Sequence, residues 1–158
     1  MTPAFIGAVL ARQKDEAERL LGITIPPYWP DEDIRYLELW LKDMSEAGQH
    51  APWRARVVTL TGDTRMIGHA GFHGPPNEEG MVEVGYTIFP EHRGNGYATE
   101  AARRLLDFAR ELGATRFRAS VSPDNAPSIA IIRKLGLEQI GEQMDEIDGL
   151  ELVFERPV

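Results

Sequence analysis

The sequence predicts a mixed α/β domain, and three patterns indicate this fold class. Apolar residues recur at helical spacing in the first third of the chain, strand-like runs follow from residue 54, and a second strongly helical pattern begins near residue 96. The predicted order is α-α-β-β-β-α-β-α-β-β, which differs from the strict alternation of a doubly wound fold. A length of 158 residues suits one domain, spanning residues 1–158.

Two helices are predicted in the first third of the chain. Residues 5–21 place apolar side chains at helical spacing, and the proline-rich segment 26–30 then interrupts the pattern. Asp31 is the predicted N-cap of the second helix, because its carboxylate can accept hydrogen bonds from the first free amides. The apolar stripe of this helix covers residues 34–44, and Gly48 is predicted to end it.

Strand patterns fill the middle of the chain. Residues 54–60 and 66–72 flank the turn 61–63, which predicts a hairpin. A third strand covers residues 81–89, and Pro90 ends it because proline lacks a backbone donor.

The last third predicts two more helices and three more strands. A helix covers residues 96–112, with one apolar stripe, and a strand follows at 116–121. A shorter helix ends at Gly136, and two final strands cover residues 137–143 and 150–155.

Composition excludes several classes of protein. The absence of cysteine removes disulfides, thiolate metal sites and a cysteine nucleophile, and it fits a cytoplasmic location. A net charge of −8 disfavours binding to nucleic acid or to an anionic membrane. No apolar run approaches the roughly 18 residues that a membrane helix needs. His69 and His73 have no further ligands at metal spacing, so we predict no metal site.

The segment 91–99 joins the third strand to the next helix and resembles an anion-binding loop. Gly94 and Gly96 permit close backbone approach, and a helix N-terminus presents free amides and the positive end of the helix dipole. The side chains of Arg93 and Thr99 can add contacts to a phosphate. A glycine-rich turn without a ligand is the alternative interpretation, because short glycine motifs are common.

Two other phosphate-binding motifs fit this loop poorly. A P-loop needs Lys followed by Ser or Thr after its last glycine, and Tyr97 and Ala98 stand there instead. The dinucleotide-binding fingerprint is matched only in part, because its third small residue falls at Thr99 and no acidic residue ends a strand about 20 residues later. A nucleotide-binding domain is therefore only a third alternative.

The motifs around this loop resemble those of the GNAT superfamily of acyl-CoA-dependent N-acetyltransferases. Residues 93–98 read Arg-Gly-Asn-Gly-Tyr-Ala and satisfy the family pattern Gln/Arg-x-x-Gly-x-Gly/Ala in full. The sequence also resembles the Rim-type branch of this family, which includes enzymes that acetylate ribosomal-protein N-termini. The segments that carry this resemblance are 83–86, 99–101, 125–128 and 134–137. The resemblance extends over about residues 54–155 and implies the GNAT fold with splayed central strands.

The resemblance implies acetyl-CoA as the co-substrate, bound without a metal. In the family this loop binds the pyrophosphate of CoA, and the preceding strand diverges from its neighbour to hold the pantetheine arm. Backbone groups of Ile88 and Phe89 would then contact that arm and stabilise the oxyanion of the reaction. The implied cofactor-binding residues are Ile88, Phe89, Arg93, Gly94, Asn95, Gly96, Tyr97, Ala98, Thr99, Asn125 and Ser128.

Glu83 is the candidate general base. A carboxylate in the middle of an otherwise apolar strand costs free energy unless it has a partner or a function. The resemblance implies the function, because many family members use a strand glutamate to take a proton from the substrate amine, which needs a lone pair to attack. The alternative is a solvent-facing glutamate, or one paired with Arg54 or Arg56.

Asn125 and Ser128 have both a structural and a functional interpretation. Either can cap a helix start. The resemblance instead places Asn125 near the CoA arm and makes Ser128 a catalytic residue near its sulfur. The tyrosine that often protonates the leaving thiolate is replaced by Ile132. Ser128, a water, Tyr86 or Tyr97 could substitute for it, or CoA could leave as the thiolate.

The acceptor is predicted to be an amine on a small molecule or a peptide. Residues 138–155 carry seven acids and no Lys or Arg, which suits a cationic acceptor, although such charges are usually only solvated surface. Asp145, Glu146, Asp148 and Glu151 are the acids placed to meet an amine. A non-catalytic acyl-CoA-binding or sensing module is the alternative function.

One departure from the family concerns the start of the chain. Members usually have a strand before the first helix, whereas this sequence begins almost directly with a helical pattern. The first strand is therefore absent or lies upstream of residue 1. An uncovered sheet edge invites pairing with another chain, so a homodimer is a possible consequence.

Overall fold

The computed structural model describes residues 1–31, 33–46 and 51–158. The strands in this part of the chain are β1 (Arg56–Thr59), β2 (Met66–Phe72), β3 (Met81–Ile88), β4 (Arg116–Val121), β5 (Glu138–Asp145) and β6 (Gly149–Pro157). They form one mixed sheet of six strands in the order β1-β2-β3-β4-β6-β5. The predicted mixed α/β class is confirmed, and each predicted strand is present.

The α-helices of the described residues are α1 (Pro3–Leu10), α2 (Lys14–Leu21), α3 (Ile34–Glu46), α4 (Tyr97–Glu111) and α5 (Ala126–Lys134). The first predicted helix is therefore two helices. Arg12 adopts a left-handed conformation with φ 58° and separates α1 from α2. The apolar period resumes after this break, so the sequence pattern does not reveal it.

The predicted N-cap of α3 is wrong. The helix begins at Ile34, and the amide of Leu37 donates to the backbone carbonyl of Asp33, which directly precedes the first turn. Asp31 is exposed, and its carboxylate accepts a hydrogen bond from Arg12 at 2.9 Å. The predicted helix end at Gly48 lies outside the described residues.

The central strands diverge, which positions the functional site. β3 and β4 are parallel and pair only at Met81–Arg116, Val82–Phe117 and Glu83–Arg118. Beyond Glu83 the described residues provide no strand partner on that edge of β3. The two strands therefore open into a wedge, as the family resemblance implies.

Helices cover the sheet on both faces. α4 and α5 pack on one face over side chains such as Val82 and Phe117, which are almost fully buried. α1, α2 and α3 form a second apolar cluster around Phe5 and Leu37. Trp29, Trp40 and Trp53 pack in or against these cores, as expected for tryptophan.

The two edge strands of the sheet are β1 and β5, and β1 is the edge next to the β1–β2 hairpin. It pairs with β2 in an antiparallel hairpin, and the described residues contribute no strand on its other side. No helix in the described residues is long and apolar enough to cross a membrane.

Candidate active site

The loop between β3 and α4 presents free backbone amides at the N-terminus of a 15-residue helix. Gly94 and Gly96 adopt left-handed conformations, with φ 79° and 83°, and turn the chain into α4. The Asn95 side chain donates to two carbonyls of the loop, both at 3.1 Å, and so holds its shape. Among the described residues, the amides from 94 to 99 have no acceptor, which is the arrangement that binds an anion.

A cleft of about 610 Å³ opens in front of these amides. It lies between the loop, the open edge of β3 and the first turn of α5. Every predicted cofactor-binding residue except Phe89 and Asn95 lines it, namely Ile88, Arg93, Gly94, Gly96, Tyr97, Ala98, Thr99, Asn125 and Ser128. The structure thus brings together two segments that are far apart in the sequence.

Phe89 does not offer backbone groups to the cleft, which corrects the expectation for this residue. Its amide donates to the carbonyl of Ile67 at 2.9 Å, and its carbonyl accepts from the amide of His92 at 2.9 Å. Both groups are therefore used within the protein. The side chain of Phe89 is buried in the second apolar cluster.

The strand register shows which backbone groups of β3 face the cleft. The amide of Phe89 donates to the Ile67 carbonyl, and the amide of His73 donates to the Glu83 carbonyl. The backbone groups of the odd-numbered residues of β3 therefore bond toward β2. The backbone N–H and C=O groups of the even-numbered residues of β3 point away from β2, so the amides of Tyr86 and Ile88 face the wedge. The Ile88 carbonyl accepts from Arg93 Nε at 2.8 Å, which leaves the two amides as donors for a ligand oxygen.

Asn125 caps α5, as the structural interpretation predicts. Its side-chain oxygen accepts from the amide of Ser128 at 3.2 Å. Ser128 is half-buried and lies next to the hydroxyl of Tyr86. Ile132 is buried in the core of α4 and α5, so the position of the usual family tyrosine carries no proton donor.

Glu83 stands at the point where β3 and β4 diverge. Ser120 Oγ donates to Glu83 Oε1 at 2.5 Å across the wedge. The described residues form no ion pair with Glu83. Arg118, its register partner on β4, pairs with Glu155 instead, at 2.5 Å, and the proposed pairing with Arg54 or Arg56 is not formed.

A chain of hydrogen bonds extends from Glu83 to an acidic wall formed by Asp145, Asp148 and Glu151. Gln143 Nε2 donates to Ser120 at 3.1 Å and to Glu151 at 2.9 Å. Burial raises the pKa of Glu151, and the charges of Asp148, Asp145 and Glu83 act in the same direction against the opposing hydrogen bond from Gln143. Glu151 therefore lies in a negative potential to which three neighbouring carboxylates contribute.

Tyr36 joins α3 to the acidic wall. Its hydroxyl lies 2.6 Å and 2.7 Å from the two carboxylate oxygens of Asp148. Burial and the neighbouring carboxylates raise the pKa of Tyr36, so the phenol stays protonated and donates. Sequence reasoning missed Tyr36, Ser120 and Gln143. The only signal in the sequence concerned Ser120, which lies two residues after Arg118 and therefore points to the same face of β4.

The two histidines differ in role. His69 is 6% exposed, and its Nε2 lies 2.9 Å from Asp33 Oδ2, which also accepts from Trp29 Nε1 at 2.6 Å. His73 is exposed. No group of three or more His, Cys, Asp or Glu in the described part of the chain is arranged to hold a metal ion.

Comparison with known proteins agrees with this geometry. A family model described as an acetyltransferase (GNAT) domain matches residues 2–138. The chain belongs to the GNAT acetyltransferase family. The protein is thus an acyltransferase, and the resemblance seen in its motifs is confirmed.

Relatives of this acetyltransferase support the assignment over most of its length. The uncharacterized N-acetyltransferase p20 of Bacillus licheniformis is 30% identical over 134 residues, which cover 84% of this chain and 74% of the relative. The ribosomal-protein-alanine N-acetyltransferase of Brucella melitensis is similar in structure, with a TM-score of 0.64 and 25% identity over 100% of this chain and 97% of that one. A GNAT acetyltransferase of Bacillus anthracis has a TM-score of 0.62 and 25% identity over 82% and 75%.

Proposed function

We propose that this acetyltransferase transfers the acetyl group of acetyl-CoA directly to a primary amine, with Glu83 as the general base. The position of Glu83 carries the proposal. It is an acid without a cationic partner among the described residues, it stands where β3 and β4 diverge, and Ser120 and Gln143 link it to the acidic wall. A base at that point can reach an amine that arrives from one side and a thioester that is held on the other.

The cleft fits acetyl-CoA, which would supply an acetyl thioester. The loop amides from 94 to 99 suit the pyrophosphate, because they are unpaired and stand at the positive end of α4. The amides of Tyr86 and Ile88 suit a carbonyl oxygen of the pantetheine arm or the oxyanion of the reaction. Arg93 Nε donates to the Ile88 carbonyl, which leaves the N–H groups of its two terminal nitrogens for a phosphate.

Glu83 acts by removing a proton from the ammonium form of the acceptor. An ammonium has no lone pair, so this step must precede attack on the thioester. Ser120 donates to one oxygen of Glu83 and fixes the carboxylate, which leaves the other oxygen to meet the amine. The amine nitrogen then bonds to the acetyl carbon as the carbon–sulfur bond breaks.

The acceptor is a cationic amine, on a small molecule or at a protein N-terminus. The acidic wall attracts a positive charge to the side of the wedge on which Glu83 lies. The name of the Brucella melitensis relative favours an N-terminal alanine as one candidate, and the acidic wall is compatible with a polyamine as another. A cytoplasmic location stays a prediction.

The variant Glu83→Gln tests the base. We expect kcat to fall about 100-fold or more, because the amide cannot accept the proton. Release of free thiol from acetyl-CoA would be followed with a protein N-terminal peptide, an amino acid, a polyamine and an amine-bearing antibiotic. Glu78→Gln is the control, since Glu78 is exposed in the neighbouring loop. Unchanged turnover by Glu83→Gln would remove Glu83 as the base.

The family assignment argues against the alternative of a non-catalytic acyl-CoA-binding module. Such a module predicts that acetyl-CoA protects the protein against heating while no amine class releases thiol. ATP or NAD giving equal protection would instead favour a nucleotide-binding domain.

A further inference from the structure

Gln143 on β5 stands at the centre of the hydrogen-bond chain that ends at Glu83. Its side-chain nitrogen Nε2 donates to Ser120 Oγ at 3.1 Å and to Glu151 Oε2 at 2.9 Å. Gln143 lies opposite Glu151 in the β5–β6 ladder and reaches across β6 to Ser120 on β4. A primary amide nitrogen carries two hydrogens, so these two bonds use its full donor capacity.

The carboxylate of Glu151 determines which way the Gln143 amide faces. An ionised carboxylate only accepts hydrogen bonds, so the side-chain nitrogen of Gln143, and not its oxygen, must stand beside it. The same nitrogen then meets Ser120 Oγ as a donor. Because the Ser120 oxygen accepts from Gln143, its own hydrogen is directed to its other neighbour, Glu83 Oε1, at 2.5 Å.

The direction of this chain matters because a serine hydroxyl both donates and accepts and rotates freely about its bond. Without a donor at the position of Gln143, the hydroxyl of Ser120 can turn its hydrogen away from Glu83. The Glu83 carboxylate then loses the hydrogen bond that holds Oε1 in place. Gln143 therefore influences Glu83 although the two side chains are not bonded to each other.

We infer that Gln143 is a positioning residue for the general base and acts on Glu83 through Ser120. The inference rests on the proposed function, in which Glu83 takes a proton from the substrate amine. By directing the Ser120 hydrogen to Oε1, Gln143 keeps the carboxylate in one orientation, with its other oxygen left for the amine. A base held in this way is in reacting geometry more of the time, so turnover rises without tighter binding of the acceptor.

A double-mutant cycle of Ser120→Ala and Gln143→Leu tests the inference through turnover. Each single variant should lower kcat about 10-fold, because each removes the hydrogen bond that holds the base, while the KM for the amine changes about twofold or less. The double variant should be no slower than Ser120→Ala alone, because Gln143 acts only through the serine hydroxyl. Gln139→Leu is the matched control, since Gln139 is exposed on the same strand.

Two results of this cycle would overturn the inference. Losses that multiply in the double variant would show that Gln143 acts independently of Ser120, for example by contacting the acceptor. A raised KM with normal kcat in Gln143→Leu would show a binding role instead. If Gln143→Leu does not fold, Gln143→Met takes its place in the cycle, because methionine keeps the length of the side chain but cannot donate.

A spectroscopic measurement does not depend on turnover. The carbon NMR signal of the Glu83 side-chain carboxyl, assigned by its loss in Glu83→Gln, reports the hydrogen bond at Oε1. Ser120→Ala and Gln143→Leu should shift this signal in the same direction, and the double variant should shift it no further than Ser120→Ala. A signal that Gln143→Leu leaves unchanged would overturn the inference. If no amine is acetylated, the proposed function fails, and this signal still decides whether Gln143 acts on Glu83.

Discussion

Gly96 shows how a single residue serves the site. Its φ of 83° lies in the left-handed region, and a Cβ added there would meet no atom within 4 Å. Alanine is therefore strained rather than blocked, at a cost of about 1–2 kcal/mol. The same cost applies at Gly62, which has φ 80° in the turn between β1 and β2, away from the cleft.

We predict that Gly96→Ala and Gly62→Ala lose similar stability but differ in binding. Gly96→Ala should weaken acetyl-CoA binding at least about 10-fold, because the new methyl group stands beside the amides that face the phosphate. Gly62→Ala should bind normally. Chemical denaturation and calorimetric titration measure the two effects, and equal affinity in both variants would show that this turn does not contact the ligand.

The candidate site was partly predictable residue by residue. The glycine loop was found because its information is local, in a short stretch of chain that ends a strand and starts a helix. Ser120, Gln143 and Tyr36 were missed because they meet Glu83 and Asp148 only through tertiary packing. Phe89 was misassigned because a sequence does not reveal which backbone amides a strand gives to its neighbour.

The attachment of α3 depends on one buried polar cluster. Asp33 precedes the helix and accepts hydrogen bonds from His69 and Trp29. Burial acts to raise the pKa of Asp33, but these hydrogen bonds and the His69 charge outweigh it and hold that pKa below its ordinary 3.8. The cluster ties α3 to β2 and so positions Tyr36 beside the acidic wall.

We predict that Asp33→Ala lowers the free energy of unfolding by about 1–3 kcal/mol, because it leaves two buried donors unpaired. Asp31→Ala is the control, since its exposed ion pair with Arg12 contributes about 0–1 kcal/mol. A carboxylate with a depressed pKa stabilises the fold above that pKa and loses this effect as pH falls through it. The gap between wild type and Asp33→Ala should therefore shrink below pH 3.8, as measured by urea unfolding.

Element boundaries were less predictable than elements. The long pattern of α4 and the alternation in β3 predicted their type correctly, because burial of one face imposes a clear period. The break at Arg12 and the start of α3 depend on side-chain partners, Asp31 with Arg12 and Asp33 with His69, that lie far apart in the sequence. Equal losses in the two aspartate variants would contradict this account of the α3 start.

At the scale of the whole molecule, the outer edge of β1 is open in the described residues. We consider antiparallel pairing of β1 with β1 of a second copy, centred between Val57 and Val58. In that arrangement Val57 lies opposite Val58, and Arg56 lies opposite Thr59. A groove of about 600 Å³ beside this edge, lined partly by Phe108 and Val58, offers apolar surface to cover. The homodimer considered from the sequence is compatible with this surface.

We predict that the protein forms a homodimer through this edge and that a charge introduced on the edge strand prevents it. The wild type should show twice the monomer mass by light scattering at micromolar concentration. Thr59→Lys should be monomeric, because a charge on an edge strand opposes pairing. Thr61→Lys, in the exposed turn beyond the strand, is the control. A wild type that stays monomeric at all concentrations would show that the edge does not pair.

The short ladder between β3 and β4 has a consequence for how the protein responds to its surroundings. In the part of the chain that the structure describes, the strand pairing between the half-sheet of β1, β2 and β3 and the half-sheet of β4, β5 and β6 is three residues long. A ligand bound in the wedge would bridge the two halves, and its binding free energy would add to the free energy of unfolding. The resistance of this acetyltransferase to heat and proteolysis should thus follow the supply of acetyl-CoA, so that metabolic state determines how long the protein lasts.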